Sequence, residues 1–198
     1  MRRIATLATV AVAVLVAVAQ FALPPLVAGG VEGRLTANGG SADVELHALP
    51  SLRLLFTEGD SARVRARGIE LPVGSPGGKV LGQLDGFGEV DVRVTDSRAG
   101  PMRLSELTLT RGSDDEPYRT TIKGSITAQD VGAFVGGFLG GLAGGMLPFG
   151  NDPVPIDLQA TLRSDGGRPR AVAVHGSVAG VPAGPLVEAL AQALAGRF

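Results

Sequence analysis

At 198 residues, 44% of them apolar, the chain is long enough to bury a core, as one large domain or two small ones behind a leader. A formal charge of −1, a pI near 6.1 and only 4% aromatic residues argue against the basic, base-stacking surfaces that nucleic-acid binding needs. The absence of cysteine excludes disulfides, thiolate catalysis and cysteine-ligated zinc, while 30 glycines and 13 prolines suit many short strands joined by tight turns.

Arg2 and Arg3 precede Ile4–Ala19, an uninterrupted run of apolar residues and threonines. That arrangement is an export signal or a membrane anchor, with its positive end held inside and the rest of the chain outside the cytoplasmic membrane. Ala17-Val18-Ala19 before Gln20 reads as a small-x-small cleavage site. Phe21–Ala28 instead prolongs the apolar stretch far enough to span about 30 Å of hydrocarbon. Residues 1–28 are therefore a signal peptide or an anchor, and 29–198 the working domain. Pro24-Pro25 predicts a helix break, followed by a short helix over Leu26–Leu35 that ends near Asn38-Gly39-Gly40.

From Ser41 the period is two. Val44, Leu46 and Ala48 alternate with Asp43, Glu45 and His47, and Pro50 stops the strand. Leu52, Leu54, Leu55 and Phe56 make an apolar knot, and Glu58-Gly59-Asp60 turns into a second strand, Ala62–Leu71. There Val64, Ala66 and Gly68 share a parity that Ile69 and Leu71 break, which predicts a bulge near Arg67-Gly68. After a turn-rich link and a short amphipathic piece at Lys79–Leu84, Val90, Val92 and Val94 alternate with Glu89, Asp91 and Arg93. Met102 and Leu104 give way to Leu107 and Leu109 with a slipped parity at Ser105-Glu106, a second predicted bulge. Tyr118, Thr120, Ile122, Gly124 and Ile126 line the next strand, Val154, Ile156, Leu158, Ala160 and Leu162 another, and Val172, Val174 and Val178 the last. Pro185–Ala195 reads as a short amphipathic helix. Together these elements predict an α+β domain on a curved, bulged antiparallel sheet.

Between the strands, Val131–Phe149 carries no charge, with glycines four apart at 136, 140 and 144 and again at 137, 141 and 145. Thr127 and Asp130 suit a helix N-cap before it. Two readings stay open: a glycine-smooth helix packed on the domain's own sheet, or a membrane-touching lip presenting Phe134, Phe138, Leu139, Leu142, Met146, Leu147 and Phe149.

Catalytic chemistry is scarce, so no enzyme activity, metal or cofactor is expected. His47 and His175 fall on outward strand parities, no serine sits in a nucleophile elbow, and GSPGGKV around Lys79 is one residue short of a phosphate loop with Val80 in place of the hydroxyl. Asp114-Asp115-Glu116 reads as a solvated acidic turn or a weak calcium ligand. Arg63, Arg65 and Arg67 alternate along one strand on a common face, either to meet phosphate head groups or as a solvated face that keeps the sheet from sticking to its neighbours.

LPPLVAGGVEGRL, VELHALPSLRLLFTEGDSARVRARGIEL, EVDVRVTDSRAGPMRLSELTLTRG and GSITAQDV, in that order over about Leu23–Val131, resemble the LmeA-like phospholipid-binding family of actinobacterial cell envelopes. The resemblance implies an extracytoplasmic, membrane-associated domain of tubular lipid-binding (TULIP-like) architecture, in which a curved sheet and a long helix enclose an acyl-chain groove. It also implies support of envelope lipid and lipoglycan maintenance. The residues themselves suit such a groove, with Val64, Val90, Val92, Val94, Leu107, Leu109, Ile122, Leu158 and Val174 as wall candidates that equally suit a sheet core. The expected partners are a phospholipid or other acyl lipid and a membrane surface. The alternative is a membrane-anchored adaptor that docks another envelope protein.

Overall fold

Period-two alternation recurs in almost every segment, and the elements it forms are strands that pair side by side. The computed structural model describes residues 20, 22–71, 80–100, 102–127, 152–166, 168–178 and 181–182. Helix α1 covers residues 22–35. It is followed by β1 (Ser41–His47), a 3-10 turn η1 (Ser51–Phe56), β2 (Gly59–Arg67), β3 (Glu70–Leu71) and a short helix α2 (Val80–Leu84). Strands β4 (Phe87–Ala99), β5 (Met102–Arg111), β6 (Tyr118–Thr127), β7 (Pro153–Asp165), β8 (Arg168–Val178) and β9 (Val181–Pro182) complete the described elements. The Gly-rich segment and the helix expected over Pro185–Ala195 lie outside the described residues.

The strands form one open nine-stranded sheet in the order β1-β2-β4-β5-β6-β7-β8-β9, with β3 also on β4. The sheet is mixed, which corrects the expectation of a wholly antiparallel one: β2 and β3 run parallel to β4. The chain between Leu71 and Phe87 crosses over instead of turning back, as parallel neighbours require.

Both predicted irregularities lie at one level of the sheet and bend it. Arg67 pairs with Thr95 and Glu70 with Arg98, so two residues on each strand are skipped together. Gly68 has φ +68 and Asp96 φ +48, and the Ser97 hydroxyl accepts the Ile69 N–H at 3.1 Å. On β5, Ser105 is the extra residue opposite β6, between the Leu104–Gly124 and Glu106–Lys123 pairs. An unpredicted bulge occurs in β8, where Thr161 pairs with Ala173 but Leu162 with Ala171. Val172 is the surplus residue and is 59% exposed, so it does not share the face of Val174 as its parity suggested.

Helix α1 begins before its prolines, contrary to the expected break. Pro24 has no N–H to give the carbonyl of Gln20, four residues earlier, and that carbonyl instead accepts the Ser51 hydroxyl at 2.9 Å. The helix lays Val27, Ala28, Val31 and Leu35 against Val44, Leu46, Ala62 and Val90. Glu32 accepts the Val44 N–H at 2.9 Å, which occupies an edge donor of β1 that would otherwise be free to pair with another chain.

The core sits on one face of the sheet. At one end Phe87, Val90 and Tyr118 pack under α1; at the other, Ala99, Met102, Leu104, Ile126 and Ile156 form a second cluster. Ile126→Ala should cost about 2–4 kcal/mol, whereas Val172→Ser, at the bulge, should change stability by less than about 0.5 kcal/mol. Urea unfolding midpoints of the two variants check the pair of values.

Candidate functional site

Register aligns the inward side chains into rungs that cross the strands. One runs Val64, Val92, Leu109, Thr120, Ala160 and Val174, and its neighbour Ala66, Val94, Leu107, Ile122 and Leu158. All nine predicted wall residues therefore share one face. Burial divides them. Val90, Val94 and Leu158 are fully packed, at 1%, 4% and 3% exposure, and belong to the core. Val64, Val92, Leu107, Leu109 and Ile122 are only half-buried and adjoin one another as an apolar strip over the middle of the sheet, with half-buried Val174 beyond Ala160 of β7.

Arg63, Arg65 and Arg67 project from the opposite face, as the alternation requires. Arg63 lies between Glu45 at 3.4 Å and Asp91 at 3.6 Å, and Arg67 meets Asp96 at 2.7 Å. Arg65 is in register with Asp43 on one side and Arg93 on the other. The outer face is a ladder of alternating charge, continued by Glu106 and Lys123 at 3.3 Å. A lipid whose tails lay on the inner strip would have the sheet itself between it and these arginines. His47 and His175 are exposed on this outer side, as expected. The lip candidates Phe134, Phe138, Leu139, Leu142, Met146, Leu147 and Phe149 lie outside the described residues.

Sequence reasoning missed a polar knot at one end of the inner face. Arg111 occupies the inward parity after Leu107 and Leu109, and its side chain is 5% exposed. It donates to the carbonyls of Leu84 (3.2 Å), Asp85 (3.3 Å) and Phe87, stacks 4.5 Å over the Tyr118 ring, and pairs with Asp85 at 3.7 Å and Asp114 at 3.6 Å. The Tyr118 hydroxyl and the Ser164 hydroxyl both donate to the Asp85 carboxylate, the former at 3.0 Å. Asp114, from the turn read as a solvated acidic one, is thus a partner of the buried arginine. A charged residue on an apolar parity was the available signal, but apart from Asp114, three residues on, its partners come from α2, the turn after it, β4 and β6, whose juxtaposition no local pattern reveals. A cavity of about 410 Å³ opens beside the knot, edged by Asp115, Glu116 and Arg163. A second depression, of about 700 Å³, lies at the sheet's bend among Asn38, Glu70, Asp96, Arg98, Arg103 and Ser125.

Among the described residues no helix is long and apolar enough to cross a membrane, and no group of His, Cys, Asp and Glu side chains is placed to hold a metal ion. Comparison with protein-family models, curated proteins and solved structures finds no match to this chain.

Burial pushes the Tyr118 phenol well above its usual value of about 10; Arg111 opposes the shift, and the bond to Asp85 adds to it. Because the folded value lies above the unfolded one, this contribution is intact below about pH 10 and is lost as pH rises beyond it, where only the unfolded chain has released the proton. Tyr118 is the sole tyrosine. Its phenolate absorbance should therefore emerge only with unfolding, and Tyr118→Phe should flatten the alkaline fall in stability while costing about 1 kcal/mol at neutral pH.

Proposed function

We propose that the protein binds a phospholipid or related acyl lipid, holding the chains against the half-buried strip of the inner face. The observation that carries this reading is the strip itself: Val64, Val92, Leu107, Leu109 and Ile122, adjoining by register and only half-buried, with half-buried Val174 beyond Ala160 on the next strand but one. Aliphatic walls with few polar groups suit acyl chains, whose burial is worth about 0.8 kcal/mol per methylene. They select chain length and shape loosely. In this reading α1 is the helix that flanks the groove, as in the TULIP-like architecture that the resemblance to LmeA-like proteins implies. The leader places the domain outside the cytoplasmic membrane, in envelope lipid or lipoglycan maintenance. Head-group contact then falls to polar residues at the ends of the inner face, where Arg163 and Ser164 border the cavity beside Tyr118, and not to Arg63, Arg65 and Arg67.

Full-length protein purified without detergent should carry stoichiometric phospholipid by native mass spectrometry and organic extraction. Leu109→Asp with Ile122→Asp should lower that occupancy several-fold, while Thr121→Asp, on the outer parity, leaves it unchanged. A lipid-free protein that also takes up no added phospholipid would overturn the proposal and leave the adaptor as the better account.

A further inference from the structure

Four of the six large apolar side chains that stand exposed among the described residues fall within eight consecutive positions: Leu49 at 73%, Leu52 at 41%, Leu55 at 59% and Phe56 at 75%. Their exposure follows from the geometry of η1. A 3-10 turn repeats every three residues, so Ser51 and Leu54 point inward together while Leu52 and Leu55 form an outward stripe. The knob is held firmly. Thr57 closes the turn in the left-handed region, with its N–H on the Leu54 carbonyl at 3.2 Å. The Asp60 carboxylate takes the Leu49 N–H at 2.8 Å and Arg53 Nη1 at 2.9 Å, and Glu58 lies 3.8 Å from the same guanidinium. The cation in the knob is thus neutralised at its base, leaving an apolar tip.

The position of the knob relative to the N-terminal run identifies what it faces. Gln20 is the first residue after Ile4–Ala19, and it is fastened to the foot of η1 by three hydrogen bonds. Its side chain accepts the Ser51 N–H at 3.0 Å and donates to the Ala48 carbonyl at 3.5 Å, while its own carbonyl accepts the Ser51 hydroxyl. A run of membrane-directed residues therefore joins the folded body beside the exposed leucines and phenylalanine.

We propose that Leu49, Leu52, Leu55 and Phe56 form a membrane-docking surface that seats this end of the domain in the interfacial region of the bilayer to which the N-terminal run leads. The inference rests on reading Ile4–Ala19 as membrane-directed and does not require lipid in the groove. A bilayer suits the knob because its tip is aliphatic and aromatic, with nothing to supply the directional polar contacts of a protein interface.

The chain has no tryptophan, so a single one reports its own surroundings. Phe56→Trp and Val172→Trp, introduced separately at exposed positions, are compared in the full-length chain reconstituted into phosphatidylcholine–phosphatidylglycerol vesicles with brominated acyl chains. The Phe56→Trp emission should shift to the blue and be quenched several-fold more than that of Val172→Trp, with Leu55→Trp as a second reporter at the same tip. Unquenched emission at a solvent-exposed wavelength, or equal quenching at position 172, overturns the proposal. So does a Phe56→Trp signal that changes only when envelope protein is added, which assigns the knob to a protein partner. Repeating the measurement with Leu109→Asp and Ile122→Asp present keeps this outcome separate from failure of the groove.

Discussion

The register of β4 is the constraint on which the other arrangements depend. This strand pairs with β2 and β3 on one side in parallel and with β5 on the other antiparallel, so the inner rungs pass through Val90, Val92 and Val94 and, beyond the bend, through Ser97 and Ala99. A slip of one residue would exchange these valines for Glu89, Asp91 and Arg93. Two polar devices hold the register at the strand's two ends. Near its start, Arg111 reaches from β5 to the Phe87 carbonyl. Near its end, the Ser97 hydroxyl spans from its bond to the Thr95 carbonyl, at 2.7 Å, to the Ile69 N–H. Both lie beside the bends and turns where ladder hydrogen bonds are interrupted, so side chains supply the pairing that the backbone there cannot.

The two faces handle charge by different physics. On the outer face the ion pairs are solvated and each is worth about 0–1 kcal/mol, so their alternation contributes solubility and correct pairing more than stability. Arg111 is the contrary case. Its guanidinium is removed from water, and three carbonyls, two carboxylates and the Tyr118 ring replace the lost hydration. Its Nε remains buried without a hydrogen-bond partner. Removing one partner from such a set leaves an uncompensated buried charge, which makes the knot intolerant of piecemeal change.

Strands and their faces were legible in the sequence because alternation is a local signal. The bend at Gly68 and the bulge at Ser105 were legible for the same reason, since each breaks a parity that its neighbours keep. Val172 was not, because its shift arises from the partner strand, where Thr161 and Leu162 set the spacing. The parallel pairing of β2 with β4 was hidden as well, since a crossover and a hairpin leave the same alternation in the strands they join. Burial was half legible. Parity placed Val90 and Ile122 on one face, but only packing separates the former, sealed beneath α1, from the latter, left half-buried.

The inner face is graded in burial and not uniformly packed. Fully packed side chains lie at both ends of the face, around Val90 and Tyr118 at one and Met102, Leu104, Ile126 and Ile156 at the other, and Ala66, Val94 and Leu158 carry the packing through the middle. The half-buried strip lies between them. Stability then depends chiefly on the fully packed side chains, where close packing makes every added or missing methylene felt. The half-buried residues tolerate a change of size better, because part of each side chain has no packed neighbour to lose.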